Sequence, residues 1–235
     1  MSRDPGRPAE DPDLADLFAR LPVAPGAKRN LLACLGDPAR RYHGLHHVAL
    51  LWRRHRAFGA GSALCEPPWH GLLACAIGFH DAVYDPRRRD SEARSAALWR
   101  DARPALDPAA VEWVAGTVLA TADHLGAGPG PGMSDAAWRA RAWMLDLDLT
   151  PLGEAPAEFD ANTARLRAEY AHLSDADWAA GRRAFLRGLA SREALYRSPV
   201  LAAAFEAPAR ANLAREVAAA DARTGPGATP DRNGR

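Results

Sequence analysis

Leu72-Leu73-Ala74-Cys75-Ala76-Ile77-Gly78-Phe79, followed at once by His80-Asp81, is the stretch on which the fold turns. It is the longest apolar run in the chain, and its eight residues fall far short of the ~20 that a membrane-spanning helix needs. Apolar on every side and free of period-2 alternation, it predicts a helix over 69–81, the most buried one of the fold. His80 and Asp81 lie at its tip. A carboxylate carried to the edge of a core costs several kcal/mol unless it is paired. A divalent cation is a partner that suits both an imidazole nitrogen and a carboxylate oxygen.

Two further clusters flank this stretch. Upstream is Tyr42-His43-Gly44-Leu45-His46-His47, and downstream is Leu145-Asp146-Leu147-Asp148-Leu149. Each helical residue turns the chain by about 100°, so His43 and His47 are about 40° apart on one face, with His46 about 60° to the other side of His43. By the same count Asp146 and Asp148 are about 200° apart and cannot both reach one ion from a regular helix. One of them is then a ligand, and the other caps, pairs with an arginine or orients a histidine. Any one of these residues alone reads as ordinary core or helix-end polarity. Their joint occurrence in apolar sequence points to a metal site assembled from much of the chain.

The rest of the sequence predicts an all-α fold, one compact helical bundle of about nine or ten helices. Helices are expected over 13–21, 29–35, 45–58, 69–81, 91–103, 108–124, 134–148, 156–173, 175–189 and 208–220, with a further start at Asp37-Pro38. Ile occurs once in the chain, and no stretch alternates β-branched residues. Residues 1–12 and 223–235 are rich in polar residues, Pro and Gly and are expected to be disordered, which leaves 13–222 as a single domain. Residues 126–132 hold four glycines and two prolines and form a flexible connection at the mouth of the site. The formal charge of +1 and the absence of a basic face interleaved with aromatics argue against nucleic acid and acidic membranes as partners. Cys34, Cys65 and Cys75 are odd in number and widely spaced, which fits neither a disulfide framework nor a thiolate zinc site. No apolar leader precedes the first helix, so a cytoplasmic location is expected.

Tyr42-His43-x-x-x-His47, Phe79-His80-Asp81-x-x-Tyr84-Asp85-Pro86 and Asp146-x-Asp148-Leu149 together resemble the HD superfamily of metal-dependent phosphohydrolases, in particular a bacterial group of predicted HD-superfamily phosphohydrolases. Glu92-x-x-Ser95-Ala96, Thr121-Ala122-Asp123-His124, Leu195-Tyr196-Arg197 and Ala209-Arg210-x-Asn212-Leu213 extend the likeness over about residues 14–217. Gly44, the additional His46 and the Arg87-Arg88-Arg89-Asp90 loop depart from it. The resemblance implies that His47, His80, Asp81 and Asp148 bind one divalent ion (Mn, Fe, Co, Ni, Zn or Mg). It makes His43, Glu92 and His124 candidates for acid–base work or phosphate contact, and Arg40, Arg41, Arg87, Arg88 and Arg89 candidates for contacting the phosphoryl group. The implied activity is hydrolysis of a phosphoester of a small metabolite, or of a nucleotide, by a water activated at the metal. The alternative is a metal- or nucleotide-binding regulatory module with little turnover. The oligomeric state is left open.

Overall fold

A computed structural model describes residues 11–224, with side chains to 219. Among the described residues the protein is all-helical, with ten α-helices and no strand. At the centre is α4 (Trp69–Phe79), whose residues from Leu72 onward are all buried. Around it pack α1 (Pro12–Arg20), α3 (Leu45–Gly59), α6 (Pro108–Ala120) and α7 (Asp135–Leu149). Helix α5 (Ser91–Asp101) lies on α6, and α2 (Pro25–Leu35) adds Leu31 and Leu35 to the same core. Helices α8 (Pro156–Glu169), α9 (Asp175–Ala190) and α10 (Pro199–Thr224) close one side, with α10 against α9 and against the 3-10 turn Thr150–Gly153 that follows α7.

The helix starts follow the local chemistry of the sequence. Asp11, Asp107, Ser134 and Ser174 each accept backbone N–H groups at the head of α1, α6, α7 and α9. Asp11 with Pro12 at the first helical position brings order to within residues expected to be disordered, and α10 runs to Thr224 at the other end. The remainder of the expected disordered segments lies outside the described residues.

Several expected boundaries differ: α2 starts at Pro25 rather than at 29, because Pro is at home in a first helical turn, and α6 ends at Ala120 with a 3-10 turn over Thr121–Asp123. Asp37-Pro38 starts no helix; Asp37 Oδ1 accepts Ala39 N–H at 2.8 Å in a local turn, and the chain bends back through Gly44. A Cβ at Gly44 would sit 2.9 Å from the Leu35 carbonyl oxygen, so glycine permits that close approach. Helix α8 stops at Glu169 rather than continuing to 173, because Arg167 donates to the carbonyls of Tyr170 (2.8 Å) and Leu173 (3.1 Å) and stabilises a turn there. Pro208, read as a helix start, lies inside α10 on an exposed position, where the carbonyl it leaves without a donor can be hydrated.

The C-terminal pattern locks the end of α7. Asn212, buried, donates from Nδ2 to the carbonyls of Leu152 (3.0 Å) and Glu154 (2.8 Å), and the Tyr196 hydroxyl donates to the Leu149 carbonyl at 2.9 Å. Arg54 of α3 reaches the same turn, donating to Thr150 Oγ1 (2.8 Å) and pairing with Glu154 (2.6 Å). Asn212→Ala leaves two carbonyls short of a donor, and a buried unmet polar group costs about 1–3 kcal/mol. A loss of stability in that range is expected in urea unfolding, and an unchanged midpoint would mean that water replaces the amide.

Candidate metal centre

Three helices converge on one point. The buried N-terminal turn of α3 presents His47, the end of α4 presents His80 with Asp81 just beyond it, and the last turn of α7 presents Asp148. His47 Nε2 and His80 Nε2 are 3.3 Å apart. Asp148 Oδ1 is 2.9 Å from His47 Nε2 and 3.6 Å from His80 Nε2. Asp81 Oδ2 lies 3.0 Å from His80 Nε2 and 3.8 Å from His47 Nε2. With metal–ligand bonds of about 2.0–2.2 Å, adjacent ligand atoms lie roughly 3.0–3.5 Å apart; His47, His80 and Asp148 come together at close to this spacing, and Asp81 lies beside His80 at the edge of the group.

Tautomers and charge sharpen the point. His80 Nδ1–H donates to the Ile77 carbonyl at 3.0 Å, which directs the lone pair of the neutral ring, on Nε2, at the other three groups. Asp81 Oδ2 is buried and accepts no hydrogen bond despite its closeness to His80. Burial opposes charge here, yet His80 pulls the carboxyl of Asp81 below its usual range, and His80 with the His124 bond pulls Asp148 down as well. Burial likewise opposes the imidazolium of His80, but Asp81 and Asp148 raise its pKa to about 9. Without an ion, the proton that His80 takes up meets part of this negative charge; a divalent cation would take that proton's place, and all the donors are N or O.

A second group, His55, Cys65 and His70, also lies within ligand reach. There the indole N–H of Trp143 donates to His55 Nδ1 at 3.1 Å, so neutral His55 carries its proton on Nε2 and donates to His70 Nδ1 at 2.9 Å. Burial pushes His55 down to about 3, which keeps it neutral. That chain is satisfied without a cation.

The groups around the four ligand-type atoms hold them in place. Asp148 Oδ2 accepts from His124 Nε2 at 2.6 Å, so His124 touches a carboxylate of the centre. The Arg197 guanidinium donates to the Leu125 and Ala127 carbonyls at 3.1 Å each and lies 3.7 Å from Asp146 Oδ1, anchoring the segment that carries His124 to α7. Asp146 itself, fully buried, turns away from the centre and accepts Ser198 N–H at 2.6 Å at the head of α10. His43 Nδ1 is 2.6 Å from Glu169, which also accepts the N–H groups of Tyr42 (2.8 Å) and His43 (3.0 Å). Burial lowers the basicity of His43, but Asp81 and Glu169 outweigh it and raise its pKa.

Other candidates fall elsewhere. His46 is exposed on the outer side of α3. Arg40 donates to the carbonyls of His43 (3.2 Å), Asp81 and Ala82 (2.9 Å). It therefore clasps the His43 turn to the end of α4 and is not free for a phosphoryl group. Arg41, Arg87, Arg88 and Arg89 are exposed, Arg88 is paired with Asp90, and none lines the cavity beside the centre. That cavity, about 820 Å³, is lined by His43, Asp81, Glu92, His124 and Asp148 at one end and by α8 and α9 at the other. Glu92 faces it from the first turn of α5. Sequence reasoning missed Glu169, which looks like any other acid at the end of an amphipathic helix.

His124→Ala removes the group that orients Asp148, and losses of such partners typically weaken metal binding by about 10–100-fold. A loss of that size in calorimetric titration with Mn²⁺ is expected, and unchanged affinity would show that Asp148 is held without it. In comparisons with known proteins, the chain matches no family model, no curated protein and no solved structure.

Proposed function

We propose that this chain is an HD-type phosphohydrolase that depends on a single divalent metal ion, held by His47, His80, Asp81 and Asp148. The observation that carries the reading is the buried Asp81 Oδ2, without a hydrogen bond, beside two facing imidazole nitrogens and a second carboxylate. Mn²⁺, Fe²⁺, Co²⁺, Ni²⁺, Zn²⁺ and Mg²⁺ all suit N and O donors in principle. When bound, the ion supplies Lewis acidity toward the phosphoryl oxygens and, from water, a nucleophile at neutral pH.

The chain's own residues do the rest. His124 fixes Asp148, and Arg40 fixes the backbone of Asp81 and His43. Glu169 holds His43 through Nδ1 and leaves Nε2 as the nitrogen free to exchange a proton in the cavity. Hydrolysis joins a water oxygen to phosphorus and breaks the P–O ester bond; in this reading His43 gives the departing alkoxide its proton and is reprotonated by the one the attacking water releases, with Glu92 as a second acid–base group. The substrate is a small phosphoester, and a cytoplasmic location goes with this reading.

The test is metal analysis of the purified protein, then turnover of a phosphoester panel after stripping and adding back each metal. Metal-dependent turnover that falls by about 10²–10⁴-fold in His43→Ala, with metal binding retained, is the expected result. Metal binding without turnover of any ester would favour a binding module instead.

A further inference from the structure

The cavity beside the centre is far larger than a phosphoryl group requires. Its volume of about 820 Å³ is large enough for a whole small-molecule ligand, in a cleft that stays open to solvent along α9. Away from the centre its wall is apolar: Phe159 and Leu166 of α8, and Trp178, Phe185 and Leu189 of α9. Phe185 is 51% exposed although it borders this space, a large side chain left uncovered at the mouth.

Helix α9 widens the space. Gly181, Ala184 and Gly188 all border the cavity, and a Cβ built on either glycine meets nothing within 4 Å. A glycine inside a helix is less favourable than alanine. Neither is needed here for close packing or for a left-handed backbone; both are exposed, so they leave open space at the solvent edge of the apolar wall.

Charge narrows the choice of ligand. Five carboxylates line the cavity, Asp81, Glu92, Asp123, Asp148 and Asp177, against two guanidiniums, Arg182 and Arg192. Arg182 is paired with Glu216 at 3.2 Å and donates to Thr163 Oγ1 at 3.1 Å. With a divalent ion bound, the five carboxylates still exceed the ion and the two guanidiniums by one charge, so a phosphoryl group on the ion is met by the ion itself whereas a second one away from it is not. Like charges brought together on binding are unfavourable. The polar groups of α8 beside the wall are also engaged, Thr163 Oγ1 by Arg182 and Asn162 Oδ1 by Arg165 at 2.6 Å.

We infer that the centre acts on phosphomonoesters with a single phosphoryl group on an extended, uncharged apolar remainder, which lies along the α8–α9 wall. The inference rests on the hydrolase reading above for the position of the phosphoryl group.

The test uses the full chain loaded with Mn²⁺ and a series of non-hydrolysable stand-ins, methyl-, butyl- and octylphosphonate, with AMP and ATP as polar and polyanionic counterparts. By calorimetry, Kd is expected to fall at least about 100-fold from methyl- to octylphosphonate, since each added methylene buries apolar surface. AMP and ATP are expected to bind more weakly than octylphosphonate. Gly188→Leu, which fills open helical space and leaves the centre intact, should weaken octylphosphonate at least about 10-fold and leave methylphosphonate unchanged. A Kd independent of chain length, tightest binding of ATP, or an octyl affinity indifferent to Gly188→Leu would each overturn the inference. Turnover of octyl phosphate separates the two readings. Chain-length-dependent binding with no ester hydrolysed would end the hydrolase reading and reduce this inference to an apolar binding wall, whereas hydrolysis with a flat Kd series would end this inference alone.

Discussion

Asp81→Asn is expected to yield a folded protein that has lost its metal and its hydrolytic activity together. The substitution keeps the shape of the side chain and removes its charge. Asp81 Oδ2 makes no hydrogen bond, so no internal bond of that atom is lost and helix content by circular dichroism should be unchanged. The carboxylate nevertheless sits 3.0 Å from His80 Nε2 and 3.8 Å from His47 Nε2, at the point where the proposed ligands meet. Partners that merely orient ligands contribute about 10–100-fold to metal affinity, so loss of an anionic ligand should exceed about 100-fold. Full metal occupancy with unchanged turnover in this variant would remove the centre from the mechanism.

The second large effect separates two aspartates of one helix turn. Asp148→Ala takes away an oxygen 2.9 Å from His47 and the acceptor of His124, so metal affinity should again fall by more than about 100-fold, with a modest change in stability. Asp146→Ala should do the reverse. Its carboxylate is fully buried, accepts Ser198 N–H at 2.6 Å and faces Arg197. Removing it leaves buried donors unmet, at about 1–3 kcal/mol, and loosens the junction of α7 with α10. Urea unfolding and Mn²⁺ titration of both variants decide the matter. Lost metal in Asp146→Ala with near-normal affinity in Asp148→Ala would reverse the assignment.

These two aspartates also show what kind of information a sequence carries. Their spacing of two residues on a helix dictates opposite faces, whatever surrounds them. In the same way the apolar run Leu72–Phe79 declares the central helix, and Asp107 and Ser134 declare helix starts, because caps and periodicity act over three or four residues. All-helical class and most element positions were therefore legible. Asp37-Pro38 and Pro208 were misread because the same local signal serves a turn, a helix start or a tolerated exposed position, and tertiary packing chooses among them.

The surroundings of the centre had no local signature. Glu169 holds His43 across 126 residues of chain, and Arg40 reaches the Asp81 and Ala82 carbonyls from the turn before α3. In sequence one is an acid at the end of an amphipathic helix and the other is one arginine among many. Of the other arginines near the motifs in sequence, Arg41, Arg87, Arg88 and Arg89 stay in solvent, whereas those that border the cavity, Arg182 and Arg192, come from α9 and the segment just after it. The sequence by itself determined the helices and the composition of the His and Asp clusters, since both follow from residue type and short spacing. Only the tertiary structure decided which donors face one another, which charges are already paired and which wall stays apolar, because those depend on how separate helices pack.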